Sequence, residues 1–316
     1  LEYEKCVPLL EKAIALDPEF AMAYRALGSA YDNLGDKSKH KLYLKKAAEL
    51  SDRLSERERY IIQGEFYFWN APEKYWNKAI EAYRFLAESY RAKGFYNNAD
   101  EVIEYCIENV SDSAAMHLYM ADNYLGQAKL DLASIEVDKA ITRDPTFSFN
   151  LLYNAWVLMN KGDLDKARQE FMKCLEEREI LVLYWSYLGL FALDLLEGKF
   201  EKAKIELGQG IEKMNRLGAK DNEAEFHVRL ASSYLRFGNP EKALEECQEG
   251  RKLALEMGND EWQRQALYVK GLSYLRKGSI DEAQKTAEEL KQMIESGINK
   301  KKIRYYTHLA GMLELE

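Results

Sequence analysis

Residues 162 to 171 read GDLDKARQEF, and the phrase is rewritten three times further on. Gly198 opens GKFEKAKIEL, Gly238 opens GNPEKALEEC and Gly278 opens GSIDEAQKTA. An active site needs its constellation of residues once. A scaffold that stacks one unit on the next needs the same glycine, acidic residue and alanine in every unit. Internal repetition therefore decides the fold class before any local reading does. With the alanine of each phrase as marker, Ala99, Ala133, Ala167, Ala203, Ala243 and Ala283 lie 34, 34, 36, 40 and 40 residues apart.

Upstream of each marker, large apolar residues recur three or four positions apart, as in FHVRLASSYLRFG (226–238) and ALYVKGLSYLRKG (266–278). That spacing is helical. The glycine ends one helix, and the acidic residue and alanine begin another. Two neighbouring helices approach closely only where the facing side chains are small. Gly28, Ala121, Ala155, Ala231 and Gly271 on first helices serve this purpose, opposite Ala99, Ala133, Ala167, Ala243 and Ala283 on second ones. Each Tyr or Leu buried around such a contact contributes roughly 2 kcal/mol, so one helix pair alone is unstable and stability is pooled along the stack.

The stretch DPEFAMAYRALGSAYDNLGD (17–36) resembles the tetratricopeptide repeat, with Tyr24, Leu27, Gly28 and Tyr31 at its signature spacings and a second DP at Asp144–Pro145. The resemblance extends over nearly the whole chain. It implies an all-α fold, a right-handed α-solenoid of antiparallel helix pairs, as one solenoid over residues 1–316. Within it, 17–110 form N-terminal repeats with an irregularity near 66–92, 111–220 central repeats, and 221–316 C-terminal repeats of 40-residue period. The 40-residue units are similar to those of bacterial regulatory tetratricopeptide domains. AAELSDRLSERERYIIQGEFY (47–67) is similar to stretches that follow serine/threonine kinase or transcription-regulator domains in bacterial signalling proteins.

The pattern breaks in three places. His40 stands where the first unit needs a small second-helix residue, which would splay that pair. Phe191 and Asp194 replace a small residue and a tyrosine before Gly198, so that helix is either shifted by a residue or its contact is rebuilt around Phe191. NKAIEAYRF (77–85) reads as a second helix, while AYRFLAESYRAKGFYNNADEV (82–102) reads as a first helix and its successor, so one helix serves two repeats beside the aromatic stretch FYFWNAPEKYW (66–76). The ends look like an orphan second helix (2–16) and an orphan first helix (300–315), without polar capping repeats. With Leu1 in place of a methionine, this fits a piece excised from a longer chain, or ends that dock on something.

Composition excludes several classes. A net charge of −8 disfavours nucleic acid, and the dense basic cluster Lys300, Lys301, Lys302 and Arg304 reads as a solvated helix start. No apolar run approaches the roughly 18 residues of a membrane span. Cys6, Cys106, Cys174 and Cys247 are far apart and form no CxxC pair, which fits reduced core thiols in a cytoplasmic protein. His40, His117, His227 and His308 make no metal motif, and no phosphate-binding glycine loop or nucleophile elbow is present. No cofactor, metal or catalytic residue is expected, and the chain reads as a non-enzyme.

In tetratricopeptide arrays the first helices line a concave groove. Counted from each small residue, the −6, −3, +1 and +4 positions face it. This yields Leu118 and Leu125 around Ala121; Phe149, Leu152, Trp156 and Met159 around Ala155; and Trp185 and Leu188 around Phe191. An apolar stripe of that size on a soluble protein marks an interaction surface. The expected partner is an apolar or amphipathic protein segment, from another protein or from a domain of the same parent chain. Arg25 and Asn33 suit the family's carboxylate-binding variant in one unit only, so that variant is disfavoured. Two rivals remain: self-association by stacking through the terminal helices, and the regulatory portion of an enzyme whose catalytic domain lies upstream.

Overall fold

The computed structural model describes residues 3–70, 76–296 and 303–315. Residues 71–75, within the irregularity expected near 66–92, and Lys300–Lys302 lie outside them. Among the described residues the structure is all-α, without strands. The chain divides into two compact units, Leu1–Gly162 and Asp163–Glu316. The N-terminal unit holds α1 (Tyr3–Leu16), α2 (Ala21–Asn33), α3 (Lys37–Glu49), α4 (Glu56–Asn70), α5 (Trp76–Ala92), α6 (Tyr96–Asn109), α7 (Ala114–Gly126), α8 (Leu130–Arg143) and α9 (Phe149–Lys161). The C-terminal unit holds α10 (Leu164–Cys174), α11 (Ile180–Leu196), α12 (Phe200–Leu217), α13 (Lys220–Arg236), α14 (Pro240–Glu256), α15 (Asp260–Arg276), α16 (Ile280–Ser296) and α17 (Ile303–Leu313). Within each unit every helix packs on the next, and first helices also touch first helices: α7 meets α5 and α9, and α15 meets α13 and α17. This is the architecture of an α-solenoid.

The recurring phrase is a turn with a mechanism. Gly162 ends α9 in the left-handed region at φ 86°, where a side chain would be strained. Asp163 then caps α10 by accepting from the Lys166 amide, as Asp36 does for α3 and Asn239 for α14. Pro240 fits the first turn of α14, where its missing N–H has no partner to lose. The marker alanines are buried in the contacts between helices.

The two units differ in helix length. α7, α8 and α9 have 13, 14 and 13 residues. α13 to α16 have 17 each, and three-residue turns join them. Gly198, Gly218, Gly238, Gly258 and Gly278 therefore fall every 20 residues, all left-handed. In the α7–α8 turn the equivalent residue is Ala128, at φ 56°.

The breaks in the pattern resolve locally. α2 and α3 are not splayed: Gly28 carries no side chain, and a Cβ there would come within 3.3 Å of the His40 carbonyl. The buried imidazole reaches back to the Gly28 carbonyl at 3.0 Å and meets Trp69 edge-on. In α11 the register holds and the contact is rebuilt. Phe191 joins a core with Tyr184, Tyr187, Leu207 and Phe226, while the small residue moves to Gly189. A Cβ on Gly189 would lie 2.3 Å from the Phe171 ring, so only glycine admits that side chain. Asp194, fully buried where a tyrosine is usual, accepts from Arg168 at 2.6 Å. α5 packs against both α4 and α6 and touches α7.

Candidate functional site

The faces of first helices can be compared position by position. In the N-terminal unit, Arg25 on α2, three residues before Gly28, forms a bidentate pair with Glu65 on α4, one residue after Gly64. Arg91 on α5, four after Ala87, pairs with Asp122 on α7, one after Ala121. Arg84 bonds Glu88 at 2.9 Å and lies over the rings of Phe85 and Tyr119. Ion pairs thus tie α2 to α4 and α5 to α7 on this face. At the corresponding places on α9 stand Trp156 and Met159, both half-buried.

The residues assigned to the groove from sequence separate into two groups. Leu118, Leu152 and Leu188 are only 2%, 3% and 5% exposed, and belong to the interior. The reason is that the −3 position sits in a cluster shared with the following second helix and the next first helix: Leu118 with Ala133 and Val137 of α8 and Val157 of α9, and Leu188 with Leu207 of α12 and Phe226 of α13. Leu125 and Phe149 lie half-buried at the margin of the Leu118 cluster. Trp185, on α11 in the other unit, is 41% exposed with its ring edge-on to Tyr184. Leu125, Phe149, Trp156 and Met159 share the N-terminal unit, and Trp185 and Leu188 belong to the C-terminal one.

Two features escaped the sequence argument. His117 on α7 is buried, with Nδ1 2.7 Å from Glu136 on α8 and Nε2 2.7 Å from Asp112. Arg143 and Lys139 extend the cluster, and hydrogen bonds from Arg143 and then His117 hold the Asp112 carboxyl down at about 2. His227 on α13 and Glu246 on α14 repeat the first of these contacts at 2.6 Å. In both pairs the glutamate follows the histidine by 19 residues, a spacing that could have revealed the clasp. The second feature is the glycine ladder, of which Gly218 and Gly258 went unread.

Chemistry beyond binding finds little support among these groups. Burial pushes the thiols of Cys106 and Cys247 up to about 12 and that of Cys174 to about 11, far from a reactive thiolate. Among the described residues no cluster of His, Cys, Asp and Glu could hold a metal ion, and no helix is long and apolar enough to cross a membrane.

Helix pairs stacked by first-helix contacts, with small residues at each crossing, define an α-solenoid of repeats. Residues 23–53 and 155–180 match the family model of the tetratricopeptide repeat. These two stretches carry the tetratricopeptide repeat, and the all-α fold around them is that of a tetratricopeptide-repeat solenoid. Among solved structures, yeast Tom70 is similar at 14% identity and a TM-score of 0.54, over 98% of this chain and 85% of that one. PilW, described as a widely conserved type IV pilus biogenesis factor, is similar at 15% identity and a TM-score of 0.50, over 71% of this chain and 97% of that one. A chain of the APC/C hetero-tetramer Cut9–Hcn1 matches 84% of this chain at 16% identity and a TM-score of 0.43; this chain spans 46% of its length. At these identities the likeness is one of fold. No curated protein matches in sequence.

Proposed function

We infer that the chain is a non-catalytic scaffold that holds an apolar or amphipathic segment of a partner protein against its first-helix faces. The contacts come from Leu125, Phe149, Trp156 and Met159 of the N-terminal unit; Trp185 of the C-terminal unit offers a separate contact. One observation carries this reading. Places that hold ion-paired charges on α5 and α7 hold half-buried Trp156 and Met159 on α9. Charged positions are satisfied among themselves, whereas large apolar ones gain from a partner that removes them from water. Leu118, Leu152 and Leu188 support the faces from beneath. A setting in bacterial cytoplasmic signalling rests on the resemblance of residues 47–67 and on four free cysteines.

The test is a photo-crosslinking residue at position 159, with exposed position 166 on α10 as control. Position 159 is expected to capture one discrete protein, and Trp156→Asp to abolish that capture without changing the thermal melt. Equal capture from both positions, or capture that survives Trp156→Asp, would rule the reading out.

A further inference from the structure

A second apolar surface lies within the C-terminal unit, where α13, α15 and α17 come together. Leu235, Tyr268, Leu272, Leu275 and Met312 line an open cavity of about 410 Å3. Two cations stand beside this floor. Arg236 and Arg276 also line the cavity, and they hold the same place in successive repeats, five residues after Ala231 and Gly271. Both are exposed, and among the described residues neither is paired with a carboxylate. Several other arginines of the unit are ion-paired: Arg229 with Glu225, Arg251 with Glu289 and Arg168 with Asp194.

An apolar floor alone would accept any greasy segment. Charges on the rim add little to stability but select the partner and its orientation. Arginine presents a planar fork of donors that fits a carboxylate bidentately, and two forks one repeat apart ask for two carboxylates. We propose that this groove holds an amphipathic helix of a partner protein, with leucine-sized side chains on the floor and acidic residues at its flanks against Arg236 and Arg276. The proposal rests on the scaffold reading above and supplies the chemistry of the ligand. The net charge of −8 makes the point sharp, because the protein as a whole repels an acidic helix. A preference for acid can then come only from a local cationic rim.

The experiment uses the full 316-residue chain and two labelled synthetic helices with the same leucine face, one flanked by glutamate and one by lysine. Fluorescence anisotropy is expected to show the glutamate helix binding about tenfold tighter, with the preference shrinking as salt rises. The double variant R236E/R276E should reverse the order, and R236Q/R276Q should erase it. Leu272→Asp should weaken both helices. Equal affinities in the unaltered protein, a lysine preference, no binding of either helix, or a glutamate preference that survives R236E/R276E would each overturn the proposal. Discrete capture at position 159 alongside failure here would leave the scaffold reading standing and remove only this ligand.

Discussion

The two units differ in how charge is used between successive first helices. In the N-terminal unit two of the links are ion pairs, Arg25 to Glu65 and Arg91 to Asp122, while α7 and α9 share an apolar cluster. In the C-terminal unit the ion pairs have moved to second helices and turns, as in Arg251–Glu289, Lys277–Glu241 and Lys220–Glu256. The floor of its α13–α15–α17 face is apolar, with Arg236 and Arg276 beside it. Helix length differs in the same direction, since 17-residue helices bury more contact per pair than 13-residue ones. The comparison teaches that a repeat built of longer helices can do without charged bridges across its first-helix face. That face is the one proposed above to take a ligand.

The sharpest way to break the comparison is Phe171→Ala. The ring is fully buried against Gly189, and its removal should cost about 3–5 kcal/mol. Hydrogen exchange should show the loss in α10 to α12 and leave α2 to α8 protected. Equal loss in both units would mean that they are not separately stabilised. Next comes the histidine clasp. His117→Ala removes the buried imidazole that bridges Asp112 and Glu136 and should cost about 3 kcal/mol, against about 1 kcal/mol for His227→Ala with its single, less buried partner. A reversed order in chemical denaturation would refute the role assigned to burial.

The fold was readable because repetition multiplies a weak signal. Each GDLDKA-like phrase says only that one helix ends and another starts, but four copies in phase exclude most alternatives. The site was readable only in part. A −3 position such as Leu118 or Leu188 faces a groove only if the neighbouring first helix stands away from it, and that distance is set by tertiary packing. The Phe191 break shows the same limit. No local rule could reveal that Phe171, on another helix, fills the space above Gly189. The His–Glu clasps did leave a trace, a 19-residue interval read against the alanine markers.

Smaller effects sharpen the contrast between turns. Ala128 adopts φ 56° where the C-terminal unit uses glycine. Ala128→Gly should therefore stabilise the N-terminal unit by about 1 kcal/mol, offset in part by greater unfolded-chain freedom, while Gly258→Ala should destabilise the other unit by a similar amount. Paired thermal melts would check both signs. A destabilising Ala128→Gly would mean that the turn is held by something other than its backbone conformation.

The smallest effect concerns acid. Hydrogen bonds from Arg143 and then His117 depress the Asp112 carboxyl to about 2, below its unfolded value near 3.9. A depressed carboxyl binds protons more weakly when folded, so its stabilisation is complete above about pH 4 and fades as pH falls toward about 2. The carboxylate is 44% exposed and screened by solvent, so the effect should stay below about 1 kcal/mol. Asp112→Asn should flatten the fall in N-terminal stability between about pH 4 and pH 2, with no change in the slope of the C-terminal unit. Unit-resolved hydrogen exchange at a series of pH values separates the two slopes. An unchanged N-terminal slope would show that Asp112 is bound equally well by solvent, and that the charge cluster around His117 depends on Glu136 alone.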